Sequence, residues 1–265
     1  MNEKREIEVV SYKPAWPDMF EMEAARIHQA LGDNCIVIHH IGSTSVPGLA
    51  AKPIIDMIPV VRDILQVDQV EKEMQALGYT ARGEAGMLFR RFFYKDNMPR
   101  THNVHIFEQG NAEIERHLMF RDWMRTHADD RQKYQELKQQ LAEKFKYDID
   151  SYCFGKDHFV AEIDTKTGFN GFRIVMALTQ YEWNVYHRLI GNPAQKGDHH
   201  FHFVLYKGTK IVCAAYMEFL KDELAIIRSL ATDDTDMRHD YDVYMKQQLK
   251  KWLNQKRRKL LVSHL

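Results

Sequence analysis

One stretch of the sequence, residues 36–61, restricts the possible folds more than any other. Two apolar runs, 36–41 and 54–61, flank a loop of small residues that contains two glycines and two prolines. Short apolar runs bounded by glycine and proline are typical of buried strands. The second run contains a carboxylate, Asp56, and burying a carboxylate is costly unless it is paired or binds a ligand. Asp56 therefore marks a candidate site between two predicted strands.

The remaining pattern predicts helices and strands around this pair. A helix is expected to begin near Pro17 and to end before Gly32, because apolar residues recur at helical spacing between them. Further strands are predicted at 6–12, 87–95 and 101–108, and further helices at 63–77, 112–127, 130–146 and 149–163.

A polar segment with two glycines, residues 166–171, is the predicted linker between a domain at 1–165 and a smaller domain at 172–265. After it the pattern restarts as strand, helix, hairpin, strand, helix and strand. The predicted elements are 172–178, 180–189, 200–206 with 210–220, 223–231, 236–254 and 259–265.

The composition excludes several classes of protein. A length of 265 residues suggests about two domains. The 37 basic and 37 acidic residues balance, which argues against an overall nucleic-acid footprint. The start of the chain lacks the apolar core of a secretory signal, and no run approaches the ~20 apolar residues that span a bilayer. The three cysteines are far apart, which favours reduced thiols in the cytoplasm. The oligomeric state is left open.

The loop between the two predicted strands has residues suited to phosphate. Gly42 allows the backbone to approach a phosphate closely. Backbone N–H groups of a tight loop, with Ser43 and its neighbour Thr44, can cradle phosphate oxygens. Lys52 can add a positive charge, and Asp56 can hold a divalent metal that bridges those oxygens. A plain turn is the alternative, because Gly-Ser alone is a weak signal.

A longer motif, HIGSTSVPGLAAKPIID at residues 40–56, resembles the signature of the GrpB family, a branch of the nucleotidyltransferase fold. The resemblance extends over residues 7–163 and includes Tyr12-Lys13-Pro14, Trp16-Pro17, 102–105, 117–122, Tyr134, Lys138, Tyr152 and Lys156. It implies an α+β or α/β domain, with a mixed sheet and helices, that binds a nucleotide or another phosphorylated small molecule.

The nucleotidyltransferase pattern places Asp-x-Asp or Asp-x-Glu about a dozen residues after Gly-Ser. Twelve residues separate Ser43 from Asp56, so the resemblance implies these two as catalytic residues. The position of the second acid is occupied by Ile58, which removes a ligand from a two-metal mechanism. The third acid would come from strand 101–108, where His105 and Glu108 are the candidates.

Histidines could replace the missing acid. If their strands are neighbours, His40, Asp56 and His105 could converge on a metal, and that set suits zinc or manganese better than magnesium. Hydrogen-bonded core histidines are the alternative. Lys138 and Lys156 could add charge to a polyphosphate, although each alone is better explained as a solvated surface residue.

The second half resembles the GNAT acetyltransferase fold. The segment 226–233, IIRSLATD, is similar to the strand that leads into the pyrophosphate loop of that fold. Asp240 and Asp242 stand where the loop requires glycines, and each adds bulk and negative charge beside a negative ligand. We therefore expect a truncated, inactive GNAT-like mixed αβ domain without an acetyl-coenzyme A site.

Three functions compete at this point. The first is a nucleotidyltransferase-like enzyme that binds a phosphorylated ligand, with or without a metal. The second is a catalytically silent nucleotide-binding or scaffold module, which Ile58 favours. The third is acetyl transfer by the second domain, which the two aspartates oppose.

Overall fold

Residues 6–96, 100–191, 197–221, 223–233 and 240–261 are described by the computed structural model of the chain. The chain divides into two compact units. The first contains residues 1–85 and 90–169, and the second contains residues 86–89 and 170–265. The predicted linker, 166–171, begins at the last residue of a helix, and the boundary between the units lies inside it.

The first unit is built on a mixed sheet. Its strands within the described residues are β1 (Cys35–Ile41), β2 (Ile55–Val61), β3 (Tyr79–Ala81), β4 (Arg90–Asp96) and β5 (Arg100–Glu108). They lie in the order β1-β2-β5-β4-β3, in which β2 and β5 are parallel and the other neighbours antiparallel. The two predicted strands that flank the loop are confirmed as β1 and β2. Because β2 lies between β1 and β5, Asp56 has a strand on each side.

Helices cover this sheet. They are α1 (Trp16–Leu31), α2 (Ile64–Val67), α3 (Glu71–Ala76), α4 (Ala112–Thr126), α5 (Ala128–Lys144), α6 (Ile149–Phe154) and α7 (Asp157–Lys166). α1 is confirmed: Phe20, Ala24 and Ile27 recur every three to four residues and are buried in one core cluster with β1 and β2. Among the described helices, none is long and apolar enough to cross a membrane.

The strand predicted at 6–12 does not form. Its backbone hydrogen bonds go to two different segments: Ile7 donates to the Lys146 carbonyl at 2.8 Å, and Val10 exchanges hydrogen bonds with Ala51. A strand needs one continuous partner, so the apolar alternation alone predicted the wrong element.

Two predicted helices are interrupted. The helix predicted at 63–77 contains a 3-10 turn, Asp68–Val70, between α2 and α3. The helix predicted at 149–163 is divided into α6 and α7 beside Gly155. A Cβ at Gly155 would lie 2.5 Å from a methyl carbon of Leu141 on α5, so the glycine lets α6 end close against α5. Neither interruption follows from helical periodicity.

The second unit has its own sheet. Its described strands are β6 (Phe172–Met176), β7 (His200–Lys207), β8 (Lys210–Phe219), β9 (Leu224–Thr232) and β10 (Lys259–Leu261), and its helices are α8 (Gln180–Ile190) and α9 (Tyr241–Gln255). The strands lie in sequence order, antiparallel from β6 to β9, with β10 parallel to β9. The predicted order of elements is confirmed, while the predictions for residues 236–239 and 262–265 fall outside the described residues.

A short segment from between β3 and β4, residues 86–89, belongs to the second unit. Met87 forms an antiparallel bridge with Val175, and the Leu88 amide donates to the Ile174 carbonyl at 3.2 Å. Leu88 is buried in the core of that unit. The second unit is therefore assembled from two separate parts of the sequence.

A buried ion pair helps to hold the first unit together. Lys95 Nζ on β4 donates to Glu23 Oε1 on α1 at 2.6 Å, and the Tyr79 hydroxyl donates to the same oxygen at 3.0 Å. Burial alone would raise the pKa of Glu23, but the bonds from Lys95 and Tyr79 outweigh burial and lower it. Glu23 is therefore a buried carboxylate that depends on its cation.

Replacing Lys95 with methionine should destabilise the protein by about 3 kcal/mol, because Glu23 would lose its main buried counter-charge. Urea unfolding measures this loss. The exposed Lys72 on α3 offers the control, since Lys72→Met should change stability by at most about 0.5 kcal/mol. Adding Glu23→Gln to Lys95→Met should recover part of the loss. Equal losses for the two lysine variants would contradict a structural role for the pair.

Candidate functional site

Strand register places Asp56 beside two residues of β5. Asp56 pairs with Ile41 on β1 and with Asn103 on β5. His105 lies two residues after Asn103, and residues two apart in a strand point to the same face. Asp56, Asn103 and His105 therefore share one face of the sheet. Asn103 was not predicted as a site residue; its position in the strand expected to carry the third acid was the available signal.

The Asp56 carboxylate is held by hydrogen-bond donors. Asn103 Nδ2 donates to Asp56 Oδ1 at 2.8 Å, and His105 Nε2 lies 3.9 Å from the same oxygen. Burial raises the pKa of Asp56, but the neighbouring His105, the hydrogen bond from Asn103 and the charge of Lys52 outweigh it, so the pKa is lowered. The side chain keeps 30% of its surface exposed. It is therefore an ionised carboxylate that still faces solvent.

Gly42 is required by Asp56 as well as by the turn. Its φ of 68° is in the left-handed region, and a Cβ there would lie 2.8 Å from Asp56 Oδ2. The loop continues as a 3-10 turn, Ser43–Ser45, in which Ser45 Oγ donates to the Gly42 carbonyl at 2.6 Å. The sequence analysis expected a phosphate to approach the backbone at Gly42. In the structure the Asp56 carboxylate lies against this glycine.

His40 lies on the other face of the sheet. It pairs with Met57, one residue beyond Asp56, and its ring stacks on Phe20 of α1 at 4.7 Å between centroids. His40 Nε2 lies 3.0 Å from Thr44 Oγ1, and that hydroxyl donates to the Ile54 carbonyl at 3.4 Å. Burial lowers the pKa of His40 to about 4, so the ring is neutral. The predicted convergence of His40 with Asp56 and His105 is not found.

The predicted roles of Thr44 and Glu108 also change. Thr44 is only 1% exposed and its hydroxyl is bonded on both sides, so only its backbone could contact a phosphate. Glu108 Oε2 accepts a hydrogen bond from the Ile64 amide at the start of α2, at 3.2 Å. Glu108 therefore caps a helix, and His105 occupies the place expected for the third acid.

Arg90 fixes the proton on His105. Arg90 Nη1 lies 3.4 Å from His105 Nδ1, and an arginine can only donate, so Nδ1 accepts. Burial and the Arg90 charge keep the pKa of His105 below its usual value despite Asp56, so the ring is neutral. The proton of the neutral ring then sits on Nε2, the nitrogen nearest Asp56. His105 is oriented as a donor to the carboxylate and presents no lone pair there.

These residues do not form a divalent-metal site from protein side chains alone. A metal site requires several lone pairs that converge, and no group of three His, Cys, Asp or Glu side chains converges in this way within the described residues. Asp56 Oδ1 already accepts from Asn103, and His105 turns an N–H toward it. Asp56 is the single carboxylate left from the expected set.

Lysine side chains, rather than further carboxylates, lie near the loop. Lys138 on α5 is 2% exposed, and its Nζ donates to Ser43 Oγ at 2.9 Å and to the Ala50 carbonyl. On the same helix Gln135 Oε1 accepts from the Ala50 amide at 2.9 Å. These contacts tie α5 to both ends of the loop. Lys138 is thus a buried loop contact and not the solvated residue that the sequence suggested.

Two further lysines share one aromatic ring. The ammonium groups of Lys52 and Lys156 lie 5.0 Å and 4.7 Å from the centroid of Tyr152, which is 1% exposed. Lys138 lies 4.7 Å from the centroid of Tyr134. The aromatic rings form an apolar floor on which cations are favoured. Three lysines therefore lie near the loop, and Asp56 is the carboxylate beside it.

Burial makes Lys138 a weak cation. It lowers the pKa of Lys138 to about 7, and the positive charge of Lys156 contributes in the same direction. Burial also lowers the pKa of Lys52. A lysine in this state gains from any anion that approaches, because an opposite charge favours its protonated form.

The loop is also held from a second side. Arg121 of α4 donates to the His40 carbonyl at 3.2 Å, and Arg125 donates to the Ser45 carbonyl at 2.8 Å. Both arginines line a cleft of about 350 Å³ that also contains Tyr12 and His39. Carbonyls before and after Gly42 are therefore both anchored, which restrains the loop.

Comparison with known proteins identifies relatives of the first unit. Residues 6–166 match the family model described as GrpB protein. UPF0157 protein YqkA of Bacillus subtilis (strain 168) is 47% identical over 157 residues, which are 59% of this chain and 46% of YqkA. UPF0157 protein BH1888 of Halalkalibacterium halodurans is 39% identical over 158 residues, covering 59% of this chain and 80% of that protein. The chain thus spans just under half the length of YqkA.

A solved structure agrees with the sequence relatives. The crystal structure of conserved protein GrpB from Enterococcus faecalis superposes with a TM-score of 0.58 and 43% identity. The alignment covers 60% of this chain and 96% of the solved chain. The match of the family model includes the loop, Asp56 and all three lysines. The family resemblance inferred for residues 7–163 is therefore confirmed.

Gly42→Ala should destabilise the protein by about 2 kcal/mol, because the new Cβ adds backbone strain and meets the Asp56 carboxylate. Denaturant unfolding measures the loss. In an Asp56→Ala background the same substitution should cost less, since the oxygen at 2.8 Å is gone. A cost that is unchanged in that background would show that Asp56 is not the group that requires glycine.

Lys138→Met should flatten the pH dependence of stability. The pKa of Lys138 falls from 10.5 to about 7 on folding, so above pH 7 the unfolded chain binds more protons and stability rises with pH. The variant lacks this gain. Between pH 7 and pH 9 the wild type should gain about 2 kcal/mol relative to Lys138→Met, measured by urea unfolding. Lys133→Met, on the exposed side of α5, should follow the wild type.

Proposed function

This chain belongs to the GrpB family, and we propose that its first unit binds a nucleotide or another phosphorylated small molecule at the loop of Gly42 and Ser43. The observation that carries the proposal is the excess of cations at this loop. Lys138 contacts Ser43, Lys52 lies at the end of the loop, and Lys156 is close enough to Lys138 to affect its protonation. Asp56 is the acid beside the loop. Phosphate oxygens are the ligands that such a charge distribution favours.

The energetic cost of the lysines supports the same conclusion. Burying a cation without a carboxylate partner is unfavourable, and within the described residues the partners of Lys138 are a hydroxyl, a carbonyl and the Tyr134 ring. A bound phosphate would supply the missing negative charge and restore the protonated ammonium. The Ser43 hydroxyl, held by Lys138, would present its remaining hydrogen-bonding capacity to the same ligand.

Ligand binding is better supported than nucleotidyl transfer. The sequence implied Asp56 and Ser43 as catalytic residues, but Ile58 replaces the second acid and His105 offers a donor in place of the third. A two-metal transfer needs carboxylates that share the metals. We therefore favour a binding module derived from a nucleotidyltransferase-like enzyme, and the comparisons leave its ligand unassigned.

For the second unit we propose a GNAT-like fold without an acetyl-coenzyme A site. Four antiparallel strands followed by a parallel one support the fold. Asp242 lies in the first turn of α9 and pairs with Lys246 at 3.3 Å, so it serves the helix rather than an anionic ligand. A cytoplasmic location is part of the proposal and rests on the cysteine pattern.

A thermal-shift screen tests the proposed function. The full chain is heated with inorganic phosphate, nucleoside mono-, di- and triphosphates, or acetyl-coenzyme A, each with and without magnesium, manganese or zinc. A ligand at 100 times its dissociation constant adds about 2.7 kcal/mol to stability, which gives a clear shift in melting temperature. We expect at least one phosphorylated ligand to stabilise the wild type and acetyl-coenzyme A to have no effect.

The shift should be lost or strongly reduced in Lys138→Met and retained in Lys133→Met, the exposed lysine on the same helix. No stabilisation by any phosphorylated compound would contradict the proposed function. Stabilisation by acetyl-coenzyme A alone would support acetyl transfer by the second unit instead.

A further inference from the structure

The protein side chains at the loop carry mainly positive charge, whereas those of a metal-dependent phosphate site carry mainly negative charge. Such a site gathers carboxylates that hold a metal between protein and phosphate. Here Asp56 is the acid and three lysines supply positive charge. Within the described residues, no carboxylate oxygen lies within 4.0 Å of the ammonium groups of Lys52, Lys138 or Lys156.

We propose that Lys52, Lys138 and Lys156 take the place of the divalent metal, so that this site binds the dianion of a phosphate monoester in metal-free form. This inference rests on the proposed function, because it concerns the same loop. It adds the class of ligand and the source of the counter-charge.

Charge matching indicates the monoester. When a bound anion restores the proton of Lys138, three protonated lysines and the ionised Asp56 carboxylate leave two positive charges at the loop. A phosphate monoester carries about −1.5 to −2 at neutral pH, which these charges neutralise. A nucleoside triphosphate carries more negative charge and ordinarily arrives with magnesium, for which this site offers a single carboxylate.

Geometry allows the three lysines to act together. The ammonium groups of Lys52 and Lys156 lie 5.0 Å and 4.7 Å from the centroid of the Tyr152 ring, so they are at most about 10 Å apart. Lys138 is fixed by Ser43 and Ala50, and the charge of Lys156 is close enough to affect its protonation. A cluster that is positioned before binding loses little entropy when a ligand arrives.

Asp56 has a different role in this arrangement from that of a metal anchor. Its carboxylate packs against Gly42 and accepts from Asn103, so it shapes the loop. As a negative charge beside an anion site, it opposes phosphate. Asp56→Asn keeps the shape and removes the charge, which makes it the sharpest discriminating variant. Metal-free binding predicts that Asp56→Asn binds phosphate as tightly as the wild type or more tightly, whereas a metal anchor predicts loss.

Isothermal titration calorimetry of the full chain tests the inference. Inorganic phosphate, AMP, ADP and ATP are titrated in excess EDTA and again in excess magnesium chloride. We expect phosphate and AMP to bind in EDTA, with affinities that magnesium does not improve. Lys138→Met and Lys156→Met should each weaken AMP binding about 10- to 100-fold, and Lys133→Met should leave it unchanged.

Three other outcomes are distinct. Binding that requires magnesium and disappears in Asp56→Asn would overturn the inference and leave the proposed function intact. Metal-free binding that both lysine variants retain would overturn the role of the lysine cluster. The absence of binding by every phosphate compound in both buffers would overturn the proposed function and this inference with it. Lys156 is only half-buried, so Lys156→Met remains informative if Lys138→Met does not fold.

Discussion

The first unit is organised by one constraint, a carboxylate placed in an interior strand of a sheet. Asp56 needs donors, and Asn103 supplies one from the neighbouring strand in register. It also needs space, which Gly42 provides by having no side chain. The loop that leaves Gly42 is then tied to α4 and α5 through its carbonyl groups and the Ser43 hydroxyl. Removing the side chain of Asp56 would take the acceptor from Asn103 and leave the space beside Gly42 empty.

The site combines two groups whose protonation is shifted in opposite senses. Asp56 stays ionised because donors and a nearby cation outweigh its burial. Lys138 is driven toward neutrality because it is buried and because the charge of Lys156 is nearby. The protein therefore satisfies the charge of Asp56 internally, whereas Lys138 has no carboxylate partner among the described residues. A site with unmatched positive charge favours an anionic ligand, whereas a site with unmatched carboxylates favours a metal ion.

Local sequence signals predicted most of the helices and strands and the loop, but they could not predict which face of the sheet each side chain occupies. β1, β2 and α1 follow from apolar periodicity within short windows. The side of the sheet that His40 occupies depends on register with β2, which a single strand does not reveal. Lys138 resembled a surface residue because its partner, Ser43, lies 95 positions away. The proton position on His105 required Arg90, which is brought near by pairing of β4 with β5.

The threading of the chain through its two units affects how it can be made. Residues 86–89 leave the ribosome before any other part of the second unit, yet they pair with β6, which is translated much later. During synthesis this short apolar segment, which contains Leu88, remains unpaired until β6 has been translated. The second unit can be completed only after most of the first unit has emerged. Cutting the gene at the linker would also separate the second unit from a strand segment that it uses.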